Sequence, residues 1–159
     1  SEDNTRLTAL LRQAAYAQPS LLPEVRGFAN RGNMAAVDAW IQMGGPLDEL
    51  ILGRGHYALM LQRLDASHWR EAMPMIIDGI RYASPPYQRV HYFGHLERMI
   101  DGTGPEDRVG WLKAVDSLRS VVGDSDPFLL AAKLRLGEES ALRQIRQLHH
   151  NQKLSLIHI

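Results

Sequence analysis

The sequence predicts an all-α chain assembled from short helix pairs, on three observations. Apolar residues recur at i, i+3 and i+4 along nearly the whole chain, and strand-type alternation is almost absent. Gly and Pro breakers fall at short intervals, at Pro19, Gly44-Gly45-Pro46, Gly53 to Gly55, Pro85-Pro86, Gly102 to Pro105, Gly123 to Pro127 and Gly137. The chain also echoes itself: Trp40, Met75, Trp111 and Ile145 follow one another at steps of 35, 36 and 34 residues.

The elements follow in order. Leu7, Leu10, Leu11, Ala14 and Ala15 mark an N-terminal helix over about Thr5 to Ala17. Met34, Val37, Trp40 and Ile41 mark the next stripe, followed by Trp69, Ala72, Met73 and Ile76, then by Val109, Leu112 and Val115, and last by Leu142, Ile145 and Leu148. The breaker spacing predicts helices of about 8–14 residues. Under the 35-residue shift Gly44 falls on Gly79, Gly32-Asn33 on Ser67-His68, and Ile41 on Ile76. Each unit therefore reads as a helix, a tight turn, a second helix and a longer connector. One pair cannot bury its apolar stripe alone, whereas stacked pairs can. In such a stack Ala29, Ala58, Ala131 and Ala132 allow close approach of inner helices, and Trp40, Met75, Trp111 and Ile145 fill the space between layers.

Composition narrows the function classes. The chain has 159 residues, eighteen Lys+Arg against eighteen Asp+Glu, and no cysteine. Its pI near 7.1 argues against a general nucleic-acid or anionic-membrane binder. Disulfides, thiolate nucleophiles and Cys-ligated zinc are excluded. No apolar run approaches the ~20 residues of a membrane span, and the start shows no signal-peptide pattern. The chain opens on Ser1 rather than Met and is expected to be a segment of something longer.

No catalytic, cofactor or metal site is expected. His91 and His95 share a helix face at i, i+4 but bring no third ligand. His149-His150 reads as a solvated helix end. The stretch GTGPED at 102–107 has no Lys and no preceding strand, so Pro105 opens a helix, with Glu106 and Asp107 suited to its dipole.

Binding features lie in the connectors. The stretch GIRYASPPYQR at 79–89 offers Arg81, Tyr82, Tyr87 and Arg89 around a rigid Pro-Pro, with His91, Tyr92 and Phe93 close behind. Tyr and Arg dominate interface hot spots; the alternative is that these rings fill space between repeats. The longest connector, GGPLDELILGRGH at 44–56, carries Asp48, Glu49, Arg54 and His56 and is expected to project as a finger with one buried apolar side. The connector VVGDSDP at 121–127 presents an acidic tip, Asp124 and Asp126, of which Asp126 is expected to cap the next helix. The ending KLSLIHI, with Leu154, Leu156, Ile157 and Ile159, is expected to fold back on the last unit or onto a partner.

Three stretches resemble ankyrin repeats: FANRGNMAAVDAWIQMGG (28–45), GHYALMLQRLDASHWREAMPMIIDG (55–79) and DPFLLAAKLRLGEESALRQIRQL (126–148). In the last, Asp126-Pro127-Phe128 stands for the family's opening, Ala131-Ala132 for its small pair and Gly137-Glu138 for its turn. No unit carries the full pattern, and the third (about 87–122) has Phe93-Gly94 where a small pair belongs. A tetratricopeptide array fits less well, because its repeats lack a long Gly/Pro connector after every second helix. The resemblance implies an ankyrin-like α-solenoid of about four degenerate repeats over 20–150, an N-terminal capping helix over 1–19 and a tail over 151–159.

Degenerate repeats, heavy Arg usage and absent Cys look bacterial. More specifically, the stretches at 55–79 and 126–148 and the ending LSLIHI are similar to the C-terminal ankyrin region of type III secreted effectors of the OspC/CopC group, which are arginine ADP-riboxanases. That resemblance implies a virulence protein delivered into the host cytoplasm. A separate domain would carry the NAD chemistry, helped by calmodulin, and the ankyrin region would recognise a host caspase. The chain itself is then a protein-binding module and not an enzyme. Two alternatives remain open: a bacterial immunity or regulatory protein in the bacterial cytoplasm, and a small metal-dependent enzyme using His91 and His95.

Overall fold

The computed structural model describes residues 2–157, with side chains described over 5–154. The described residues form α-helices and short 3-10 turns, with no strand among them. The chain divides at Leu64 into two compact units.

The first unit holds α1 (Glu2–Ala17), α2 (Leu22–Asn30), α3 (Met34–Gln42) and α4 (Arg54–Arg63). Helix α3 is the centre of this unit, packed by α1, α2 and α4. Its Ala35, Ala36, Val37, Ala39, Trp40 and Ile41 are all buried. A helix apolar nearly all round is what a central position demands. The buried face of α1 takes only part of the expected stripe Leu7, Leu10, Leu11, Ala14 and Ala15: Leu11 is half-buried and Ala14 exposed. Thr8 and Ala15 are buried, while Leu7 and Leu10 are 38% and 52% exposed. The Thr8 hydroxyl donates to the Ala35 carbonyl at 3.2 Å. Small residues on both helices let the backbones approach, and Leu at those positions would hold them apart.

The α2–α3 turn is built on Gly32, whose φ of +89° suits glycine. Gly32 N–H donates to the Ala29 carbonyl at 2.9 Å and Asn33 N–H to the Phe28 carbonyl at 3.2 Å, a Schellman ending. The Asn33 side chain then caps α3 by accepting from Ala36 N–H at 3.1 Å.

The second unit holds α5 (Trp69–Arg81), α6 (Arg89–Gly102), α7 (Arg108–Asp116), the single turn α8 (Arg119–Val122), α9 (Pro127–Arg135) and α10 (Glu139–Ile157). Helix α6 packs on α5 and α9, α7 packs on α5 and α9, and α10 packs on α9. Its core joins Ile76 and Ile80 of α5, Phe93, Leu96 and Met99 of α6, Trp111 and Val115 of α7, Leu118, and Leu129 and Leu130 of α9. Trp111 lies 5.3 Å from Trp69, centroid to centroid, and Phe93 stacks on Phe128 at 5.7 Å. The α9–α10 turn repeats the Schellman ending: Gly137 has φ +85°, its N–H donates to the Leu134 carbonyl at 2.9 Å, and Glu138 N–H donates to Lys133 at 3.0 Å.

Several expectations need correction. On α7 the buried residues are Trp111 and the expected Val115, while Val109 is 76% exposed, because the apolar spacing there admits two faces and the larger ring takes the core. Ala58 is exposed, so it does not bring inner helices together, and Met75 and Ile145 are only half-buried. Helices α1 and α10 reach 16 and 19 residues, beyond the expected range, because no breaker interrupts them. Residues 151–157 continue α10 rather than turning back as a tail, and Leu154 is 42% exposed. The side chains of Leu156 and Ile157, and the whole of Ile159, lie outside the described residues.

Candidate functional site

In the second unit Tyr82 and Tyr87 lie on the α5–α6 connector, flanked in sequence by Arg81 and Arg89. Helix α5 ends at Arg81, and a 3-10 turn over Pro86–Gln88 leads into α6 at Arg89. Pro85 and Pro86 fix φ over two successive residues and thereby limit the path between the ends. The Arg89 Nε–H donates to the Ile80 carbonyl at 3.0 Å and closes the connector at its base. Tyr92 lies against Gly79, where any Cβ would collide with its ring. Tyr82 and Tyr87 are 75% and 74% exposed. These two rings therefore do not fill space between helices; Tyr92 and Phe93 do, being half-buried and buried. Arg89 spends its Nε–H on Ile80; Arg81 and Arg89 are both half-buried, and Tyr82 and Tyr87 are the large exposed side chains of this connector.

His91 is exposed in the first turn of α6, and His95 is half-buried one turn on. Burial, then the charge of Arg98 and of His91, holds His95 below the ordinary imidazole pKa. Among the described residues no group of three or more His, Asp or Glu is placed to hold a metal ion. Glu97 faces Arg135 at 3.6 Å instead of the histidines.

The connector after α3 is braced rather than free. Leu47 and Leu50 are buried, giving the expected apolar side, and Ile51 is 79% exposed. Asp48 and Glu49 sit in a 3-10 turn over Leu47–Glu49. Glu49 pairs with Arg26 at 3.2 Å, and the Asn30 side chain accepts from Ile51 N–H at 2.8 Å. Arg54 and His56 are not part of this connector: α4 begins at Arg54, so both belong to its first turn. Both are exposed, and the His56 ring stands over Gly32.

At the acidic tip, Asp124 pairs with Arg119 at 2.5 Å, which holds its carboxyl below the usual range. Asp126 caps α9 as expected, accepting from Leu129 N–H at 2.9 Å. The sequence reading missed a polar cleft of the first unit lined by Thr5, Thr8, Arg12, Asp38, Gln42 and Arg63. Its residues come from three helices, and only the polar spacing Thr5–Thr8–Arg12 signals it locally.

No described helix is long and apolar enough to cross a membrane. No family model, no curated protein and no solved structure matches this chain.

Proposed function

We propose that this chain is a protein-binding module of ankyrin-like helix pairs, and that it grips its partner through Arg81, Tyr82 and Tyr87. The observation that carries the reading is the pair of tyrosine rings left 75% and 74% exposed on a connector pinned at its base. Large rings with few rotatable bonds, held by a rigid backbone, lose little entropy when a partner covers them.

The ankyrin-like reading is supported by recurrence. Gly137 follows Gly32 by 105 residues, three steps of 35, and the two share one turn geometry. Within the second unit α9 pairs with α10, α6 packs on α9 and α5 on α7, as neighbours in a stack would, while α6 takes α5 rather than α7 as its main partner, a departure from the repeat unit at 87–122. The more specific reading, recognition of a host caspase by a secreted effector whose ADP-riboxanase domain lies elsewhere, rests on the sequence resemblance.

Binding of the full chain to purified host caspases, native against Y82A/Y87A, tests both. The double variant should bind at least about thirtyfold more weakly, as two interface rings worth at least about 1 kcal/mol each imply, with an unchanged circular dichroism spectrum. No caspase binding by the native chain sinks the effector reading. Equal binding by the variant moves the interface off this connector.

A further inference from the structure

The cleft between α1, α3 and α4 has a volume of about 300 Å³. Each helix lends it one face. Thr5, Thr8 and Arg12 line up along α1, Asp38 and Gln42 lie one turn apart on α3, and Arg63 closes it as the last residue of α4. The walls are fixed. Thr8 donates to the Ala35 carbonyl at 3.2 Å, and Arg63 donates to Asp38 at 2.6 Å and to the Leu59 carbonyl at 2.9 Å.

Arg12 is different. Its Nη1 donates to the Gln42 Oε1 at 2.5 Å, and Gln42 carries no charge. Among the described residues Arg12 makes no ion pair with a carboxylate, whereas Arg63 has Asp38. Among the described lining residues, two guanidiniums and one carboxylate leave one positive charge. Gln42 holds the Arg12 fork in place without neutralising it, and a guanidinium fork is matched to a planar carboxylate.

We propose that this cleft receives one carboxylate, the acidic side chain of an Asp or Glu on the partner protein. The inference rests on the protein-binding reading above and names a chemical feature of that partner. A single negative charge brings the described lining to neutrality. A phosphate dianion is disfavoured, because Asp38 stands in the same cleft and repels the second charge. A cation is disfavoured by Arg12 and Arg63.

Titration of the full chain with N-acetylglutamate N-methylamide, followed through the arginine Nε–H resonances, tests this without any partner protein. The glutamine counterpart and inorganic phosphate serve as comparison probes. The expected result is a saturable shift at Arg12 and Arg63, at least about tenfold weaker binding of the glutamine probe, and weaker binding of phosphate than of glutamate. R12Q should abolish the shift at Arg63 and leave the melting temperature unmoved, since Arg12 is exposed. Equal response to the glutamine probe, tighter binding of phosphate, equal shifts at Arg6 and Arg146, or native-like binding by R12Q would each overturn it. Tyr82 and Tyr87 belong to the other unit, so loss of partner binding in Y82A/Y87A and loss of the glutamate response in R12Q are separate results.

Discussion

The Arg89 guanidinium hydrogen-bonds the Ile80 carbonyl at 3.0 Å, tying the first residue of α6 to the last turn of α5. It meets an unpaired carbonyl at a helix C-terminus, where a cation is also favoured by the dipole. Arg89→Met keeps the stem and removes the bond. It should destabilise the fold by about 1–2 kcal/mol, lowering Tm by roughly 2–8 °C. Amide exchange over 82–88 should quicken at the same time. Unchanged exchange there would mean that the prolines alone hold the connector.

Trp40 and Trp111 are both core rings, 4% and 0% exposed. Truncation of either to Ala should cost roughly 3–5 kcal/mol in denaturant unfolding. Their Phe variants should differ. Trp40 Nε1–H donates to the Pro46 carbonyl at 2.9 Å, so Trp40→Phe removes that hydrogen bond and leaves the carbonyl with only Glu49 N–H at 3.3 Å. The Trp111 Nε1–H is buried with no hydrogen-bond partner among the described residues, so Trp111→Phe removes a group that already lacked one. The Trp40→Phe loss should exceed the Trp111→Phe loss by about 1 kcal/mol. The reverse order would place an unseen partner on the Trp111 indole.

These two rings also show what the sequence could reveal. Apolar spacing found the helices and both tryptophans, since a large ring at a helical step has few places to go except the core. On α1 it found Ala15 but missed Thr8, whose hydroxyl bonds the carbonyl of Ala35, 27 positions away in the chain. The Arg89 bond to the Ile80 carbonyl stayed hidden, because a backbone partner leaves no trace in side-chain types. The cleft around Arg12 stayed hidden for a related reason: Gln42 and Arg63 meet it only through tertiary packing.

Gly32 and Gly137 occupy equivalent turns with φ of +89° and +85°, yet their surroundings differ. A Cβ at Gly32 would stand 2.9 Å from the His56 ring, whereas at Gly137 the nearest group is the Arg108 guanidinium at 3.5 Å. Gly137→Ala should therefore cost only the left-handed backbone strain, about 1–2 kcal/mol. Gly32→Ala should cost more, and adding His56→Ala should recover the excess. Equal losses at the two glycines, read from urea midpoints, would show that His56 does not rest on the turn.

Two exposed carboxyls titrate low for different local reasons. Asp124 is held down by its hydrogen bond from Arg119 and then by the charge of that residue; Asp65 is held down by hydrogen bonds from the Ser67 hydroxyl and backbone N–H. A carboxyl lowered in the folded chain adds stability that is present above its unfolded pKa and lost as pH falls through the folded value. The contribution of both groups should therefore be complete at neutral pH and fade only in acid, below the ordinary carboxylate range. Carboxyl NMR titration separates the causes. Arg119→Gln should raise the Asp124 midpoint and leave Asp65 alone, and Ser67→Ala should raise Asp65 and leave Asp124 alone. If Arg119→Gln left Asp124 unmoved, the ion pair bracing the α8–α9 link would not exist in solution, and Asp124 would be a free acidic contact.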